Sequence, residues 1–531
     1  MFTNLHDDEA YYWLFSKHLD WGYFDHPPAI ALIIKAGTFL FGKSLLGVRL
    51  FTCVASVITW YFIAAIAGSL QKPNHLPLGL AFMATPILQI YGFITTPDVP
   101  LFLFGAMFIW SLLKLARNDK LAVFWLAVSM TLLAYSKYHG ALVVAFGLLP
   151  FMGRRSHLLR ILLAGVIALI LFAPHLYWQW KHSWPSFQYH LVNRHYGSTW
   201  VHIFEYLGGV LLMSGGLLFA KRAPNNEGLF RKSMNFIFWG FIVFFGLSLF
   251  NGKIELHWLG FIALPLLLII DLESLWNSRF MRVLISVQVL VLLSARIVLM
   301  SYTQNLDAFK KDRLWADEVE SLADGHPVVF MNSFQSASKY SFFTDQIGWS
   351  DNNRFYRKNQ FDIWKHDTIL NARTVYYISR FGRGSFITDD LPIGHAGLIY
   401  DYIAMQRVTG QIHSLYYEQI GDSIVGQIAF ELSNPYTYSI DFNHPQTSLE
   451  PSLYVNIGEL EDVIGLNLEE PETSLPAQSV VTYKASFRYT IENSNVNSGT
   501  AVLTILKGPL YSQLMGSEYE VRIGEQHHFN N

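Results

Sequence analysis

Of 531 residues, 52% are hydrophobic and only 15% charged, against roughly a quarter charged in an ordinary soluble domain. The charges divide unevenly: residues 1–300 carry 22 Lys+Arg against 12 Asp+Glu, and residues 301–531 carry 16 against 28. A net-positive apolar part joined to a net-negative polar part excludes a wholly soluble enzyme, a disordered chain and a nucleic-acid binder with a basic stripe. Cys53 is alone, so no disulfide and no thiolate metal site forms within one chain.

A helix crosses a bilayer core with about 20 apolar residues. Runs of this kind predict about ten spans, at 45–69, 76–93, 98–116, 120–135, 138–152, 158–180, 202–219, 234–250, 254–270 and 282–300. Pro27 to Phe41 is apolar but too short to cross, and reads as an interfacial or re-entrant helix. Lys and Arg are retained on the cytoplasmic side. One alternating set of loops holds twelve of them, including Arg154, Arg155, Arg160, Arg279 and Arg282. The other set of inter-span loops holds four, namely Lys137, Lys181, Arg194 and Lys253. The first set is therefore cytoplasmic, and the N-terminal segment and everything after 300 face outside. Met1 to Asp8 is polar, with no cleavable signal peptide. An outward-facing start then implies one more helix upstream, or a short tail that crosses unaided.

The outside loops concentrate ionisable groups against the apolar core, where charge is costly and marks function. The first carries Asp8, Glu9, Tyr11, Asp25 and His26 among many aromatics, with Pro27-Pro28 fixing the backbone. Asp98, in Thr96-Pro97-Asp98-Val99-Pro100, reads first as an N-cap of the next helix. Lys137 and His139 in Ser136-Lys137-Tyr138-His139-Gly140 break the inside bias for cations. Lys253, Glu255 and His257 repeat the pattern at another outside hairpin. The loop 181–201, with His190, Arg194, His195 and Tyr196, is placed to cover the group. Cations for a phosphodiester, carboxylates for an acceptor proton and aromatics for a sugar face suit a lipid-linked sugar phosphate. A base for the acceptor hydroxyl is needed, with cations for the departing phosphate; a polyprenyl phosphate leaves without a general acid.

Asp8-Glu9-Ala10-Tyr11-Tyr12-Trp13, Trp21-Gly22-Tyr23-Phe24-Asp25-His26-Pro27-Pro28, Gly47-Val48-Arg49-Leu50, Thr96-Pro97-Asp98-Val99-Pro100-Leu101 and Ser136-Lys137-Tyr138-His139-Gly140 follow one another in the chain. In that order and spacing the chain resembles the bacterial dolichyl-phosphate-mannose protein mannosyltransferases, a group that includes the aminoarabinose transferases of lipid A. These are GT-C glycosyltransferases of the family 39 type. The resemblance spans about residues 5–300 and continues through Asn332–Ser338 and Arg357–Trp364. It implies a GT-C fold in the bacterial inner membrane. The implied activity is transfer of a sugar, with inversion, from a polyprenyl-phosphate donor to an extracytoplasmic lipid, glycan or protein acceptor. It implies Asp8 as the catalytic carboxylate with Glu9 beside it. Asp25 and His26 stand where the aminoarabinose transferases have a Glu-Lys pair near the donor phosphate. His26 is only conditionally cationic, and Tyr11 stands where those enzymes tend to have a basic residue, so the sugar need not be aminoarabinose. The donor-phosphate contacts are then His26 and Lys137, with Arg49 and Lys253 behind them; Asp25, Tyr11, Asp98, His139 and His257 support. No cofactor is required. A divalent ion between Asp25, Glu9 and His257 is a weaker option, because no His/carboxylate spacing on one helix supports it.

After Met300 the composition becomes soluble. Residues 301–400 read as an α/β region, with strands at Pro327–Met331 and Thr374–Ile378 and a helix near 334–343. Residues 401–531 read as β-rich and sandwich-like, with a turn at 493–499. Their net negative charge speaks against anionic headgroups as partners; acceptor recognition and a structural lid are both open. A transporter or flippase for a lipid-linked or anionic solute is the rival reading, but the inverted repeats it needs are not visible.

Overall fold

The computed structural model describes residues 4–70, 75–191, 200–223, 228–251, 254–305, 308–352, 358–364, 367–380, 384–457, 460–470, 473–490, 498–507, 511–514, 519–522 and 526–528. The chain divides into two compact units, Met1–Lys311 and Asp312–Asn531.

The first unit is helical. Its elements are α1 (Asp7–Lys17), α2 (Ala29–Phe41), α3 (Leu45–Leu70), α4 (His75–Met83), α5 (Pro86–Ile90), α6 (Asp98–Ala116), α7 (Ala122–Ser136) and α8 (Gly140–Leu148). There follow α9 (Arg155–Lys181), α10 (Pro185–Leu191), α11 (Trp200–Ser214), α12 (Gly228–Ser248), α13 (Ala263–Ile269), α14 (Leu272–Asn277) and α15 (Arg279–Asn305). Five helices among the described residues are long and apolar enough to cross a membrane: α3, α6, α9, α11 with its 3-10 extension to Phe219, and α15. This is an integral membrane protein. Only 11% of the apolar window of α15 is buried inside the protein, against 67% for α6, so α15 lies at the rim and α6 in the centre.

Other apolar runs are shorter or broken, for local reasons. The run 76–93 splits into α4 and α5 because Pro86, at the first position of α5, has no N–H to continue a helix from Thr85. The run 254–270 forms a 3-10 turn and then the seven-residue α13, with every side chain of α13 buried. It is an internal element of the helical core rather than a lipid-facing rod. The 13 residues of α2 reach about 20 Å at 1.5 Å per residue, short of a crossing.

The second unit begins within α16 (Ala308–Ala323) and continues with β1 (Val328–Met331), α17 (Phe334–Phe343), β2 (Gly348–Asp351), β3 (Val375–Ser379), β4 (Asp389–Leu391) and β5 (Gly394–Ile399). These strands form one sheet in the order β2-β1-β3-β5-β4, parallel across β2-β1-β3 and antiparallel beyond. Two further five-stranded sheets follow. Long antiparallel strands Thr409–Ile420, Ser423–Asn434 and Ser479–Thr490 build one, and Leu449–Ile457 with Ser498–Lys507 the centre of the other. Ile412, Ile428 and Phe430 of the first and Leu453, Val455 and Leu503 of the second share one core, as two facing sheets do. The turn expected at 493–499 falls largely outside the described residues.

Candidate active site

Three acids, Asp7, Asp8 and Glu9, occupy the first turn of α1, where the helix dipole favours negative charge. His6 caps the helix: its ring accepts from the Asp8 amide at 3.3 Å, and its own amide donates to Glu9 at 3.0 Å. Successive helical positions point about 100° apart, and that rotation separates the two acids. Glu9 turns inward and is fully buried. Arg49 of α3 grips both its oxygens, Nε at 2.7 Å from Oε1 and Nη2 on Oε2, and the Thr95 amide adds a bond at 2.9 Å. Asp8 turns outward, keeps 43% of its side chain exposed and has the His6 ring 3.9 Å away.

The buried pair alters what two residues can do. Four donors already fill the Glu9 carboxylate, and Arg49, 1% exposed, also donates to the Asn4 carbonyl at 2.7 Å. Arg49 was expected near a donor phosphate; here it is committed to Glu9, and both act to fix α1 against α3 and the 95–98 loop.

A second buried pair stands beside it. Asp98 is not the N-cap expected from its sequence. It is the first residue inside α6, after an N-cap at Pro97, and its side chain makes no cap bond. Both its oxygens instead take the Lys137 Nζ at 2.9 Å, and both residues are 3% exposed. Tyr91, in the corner after α5, is half-buried with its ring centre 6.3 Å from that of Phe102. The Thr96 hydroxyl, in the same loop and 8% exposed, has no hydrogen-bond partner among the described residues.

Aromatic residues hold the loop before α2. Tyr11 donates to Asp25 at 2.8 Å, deep in the fold, and Tyr23 donates to the Phe15 and His18 carbonyls at 3.0 Å. His26 is half-buried with its ring 5.8 Å from that of Tyr12. The end of α9 supplies a further set that sequence patterning does not single out. His175 bridges the Trp21 carbonyl at 2.8 Å and the Tyr138 hydroxyl at 3.2 Å, Gln179 donates to Tyr138 and Ser186, and Trp178 donates to Asp20 at 2.8 Å. Gly22 permits this approach, since a Cβ there would lie 2.5 Å from Trp178 Cε3. His139 and His257 both lie against Trp258, at 5.1 and 6.3 Å between ring centres. Among the described residues no three His, Cys, Asp or Glu side chains come together as a metal site, so the set Asp25, Glu9 and His257 does not assemble. Lys253, Arg194, His195 and Tyr196 lie outside the described residues, as does the side chain of His190.

Comparison with known proteins places this geometry. Residues 25–178 match the model of the dolichyl-phosphate-mannose-protein mannosyltransferase family. The match begins at Asp25, after Asp8 and Glu9, and takes in Arg49, Asp98 and Lys137. A curated relative, the lipid A galacturonosyltransferase RgtD of Rhizobium johnstonii, is 26% identical over 193 residues, 34% of this chain and 40% of that protein. The chain thus matches well under half the length of that relative. Two structures of ArnT from Cupriavidus metallidurans, in the apo state and bound to undecaprenyl phosphate, align with a TM-score of 0.55 at 14% identity. Each alignment covers 75% of this chain and 94% of the other. The fold is that of a membrane GT-C protein, as the family resemblance implied.

Proposed function

We propose that this protein is an inverting glycosyltransferase that moves a sugar from a polyprenyl-phosphate donor to an extracytoplasmic acceptor. The observation that carries the reading is the difference between neighbouring acids. Glu9 and Asp98 are buried against cations, whereas Asp8 keeps 43% of its side chain open to solvent at a helix N-terminus. The family match over 25–178 and the likeness to a structure with bound undecaprenyl phosphate support it.

In this reading an Asp8 oxygen takes the proton of the acceptor hydroxyl as that oxygen attacks the anomeric carbon from the side opposite the phosphate. The bond from the anomeric carbon to the phosphate oxygen breaks, and polyprenyl phosphate leaves with the electron pair. A positioned base of this kind contributes roughly 10²–10⁴-fold. Glu9 with Arg49 and Asp98 with Lys137 position the site. Phosphate contact falls to His26, to Lys253 and to the Lys137 proton that Asp98 does not use. Asp25 and Tyr11 support the His26 loop, and His139 and His257 the opposite wall. The site faces outward at the bacterial inner membrane, with the shorter apolar helices completing a bundle of about ten crossings and the region after 300 outside the cytoplasm. The cation asymmetry between the loops supports this orientation.

Purified protein incubated with radiolabelled polyprenyl-phosphate sugars and membrane extract tests the reading. Wild type should transfer label, and Asp8→Asn should lose transfer while still binding donor. Transport of label without transfer, or full turnover by Asp8→Asn, rejects it.

A further inference from the structure

Two of the cations expected to meet a lipid phosphate, Arg49 and Lys137, are held by Glu9 and Asp98. A cation hidden in an apolar run is not so held. Arg296 lies in α15, 17 residues past Arg279, hence about 25 Å along the helix at 1.5 Å per residue and close to the far edge of a hydrocarbon core about 30 Å thick. Its neighbours Leu293, Ile297, Val298 and Leu299 are exposed apolar side chains, so it sits at the rim of the helical unit where lipid packs.

The guanidinium is pinned against the corner after α5. One nitrogen donates to the Gln89 carbonyl at 2.7 Å, and the guanidinium carbon lies 4.7 Å from the centre of the Phe93 ring. Its interactions among the described residues, with the Gln89 carbonyl and the Phe93 ring, include no carboxylate. Arginine has five N–H donors, and the bond to Gln89 uses one. A flexible arginine snorkelling to the headgroups would account for the depth alone. It would not account for the carbonyl and the ring, which preorganise the fork. The corner itself packs on α3, with a Cβ at Gly92 falling 3.3 Å from Ser56 Oγ. Tyr91, between Gln89 and Phe93 in the chain, packs toward Phe102 of α6, 6.3 Å between ring centres.

We propose that Arg296 binds the phosphate of a membrane lipid at the protein–lipid boundary, at the corner formed by Gln89 and Phe93. A planar fork with free donors matches phosphate oxygens two at a time. The phosphate binding stands without the transfer reading; only the expectation that the lipid is the sugar donor's carrier rests on it.

The full chain in nanodiscs of neutral phosphatidylcholine is titrated with undecaprenyl phosphate in one arm and phosphatidylglycerol in the other. Arg296→Gln should weaken binding about tenfold, the worth of one hydrogen bond to a charged group, and Arg296→Lys should weaken it less. Undecaprenol, which lacks the phosphate, should show no difference between the proteins. Loss confined to undecaprenyl phosphate assigns the station to the donor's carrier; loss with phosphatidylglycerol as well, or alone, assigns it to anionic lipid in general. Unchanged affinity of both variants for both lipids overturns the proposal. The lipids titrated carry no sugar, so the two readings stay apart: a loss at Arg296 stands whether or not the protein transfers sugar, and failure of the radiolabel assay leaves it untouched.

Discussion

Arg49→Met tests the assignment of Glu9 and Arg49 as a positioning pair. The substitution keeps most of the side-chain volume and removes the counter-charge from a carboxylate with no solvent exposure. Glu9 would retain the Thr95 and His6 amides, two of its four donors. Removing one partner of a buried pair costs about 3–5 kcal/mol, because the remaining charge stays buried and uncompensated. At about 2–4 °C per kcal/mol for a domain of 150–250 residues, the melting midpoint should fall by roughly 10 °C. The measurement is tryptophan fluorescence or size-exclusion survival of purified protein in detergent, at one fixed heating rate because such unfolding is irreversible. Glu9→Gln alone should cost a similar amount. The double variant Glu9→Gln/Arg49→Met should lose much less than the two losses added together, since it buries no net charge. An Arg49→Met midpoint within a degree of wild type, or strict additivity in the double variant, would refute the pairing argument.

The same logic applies to Lys137→Met, which leaves Asp98 charged and buried; Asp98→Asn in the same chain should restore most of the lost midpoint, and a double variant no more stable than Lys137→Met would reject the pair. Gly22→Ala drives a methyl into Trp178 and the His175 ring, an overpacking cost of about 1–3 kcal/mol that should appear as a lowered midpoint and altered tryptophan emission. Thr96→Val removes a buried hydroxyl that has no hydrogen-bond partner among the described residues; the midpoint should hold or rise slightly, and a drop of more than a degree would show that the hydroxyl is bonded. Asp8→Asn should leave the midpoint unchanged, in contrast to Glu9→Gln one residue away.

The long crossings were legible because an apolar run of about 20 residues has few other structures open to it. The predicted 98–116 and 158–180 correspond to α6 and α9. Where the chain escapes that constraint, local chemistry intervened. Pro86 cut one run in two, and the run 254–270 lost its outward face to the packing of α12 and α13. Within the second unit, Gly348-Trp349-Ser350-Asp351 carries no alternation, so its strand was invisible to periodicity and exists through its parallel pairing with Val328–Met331.

The site was legible as a list of residue types and not as a set of partners. Glu9 and Arg49 are 40 positions apart and Asp98 and Lys137 39 apart, and no local pattern states which acid a cation will choose. Composition at a loop reports that a charge is present near the membrane; burial decides whether it remains available to a substrate. Two carboxylates on successive residues of α1 show how sharp that decision is, for one helical step moves a side chain from a solvent-facing position to a fully occupied one. Arg296 shows the converse: counted by loops, it belonged to none, and only the corner formed by Gln89 and Phe93 distinguishes it from a basic residue straying into an apolar run. The useful question for a cation in such a protein is therefore which carboxylate is absent beside it, since that absence is what a lipid phosphate can fill.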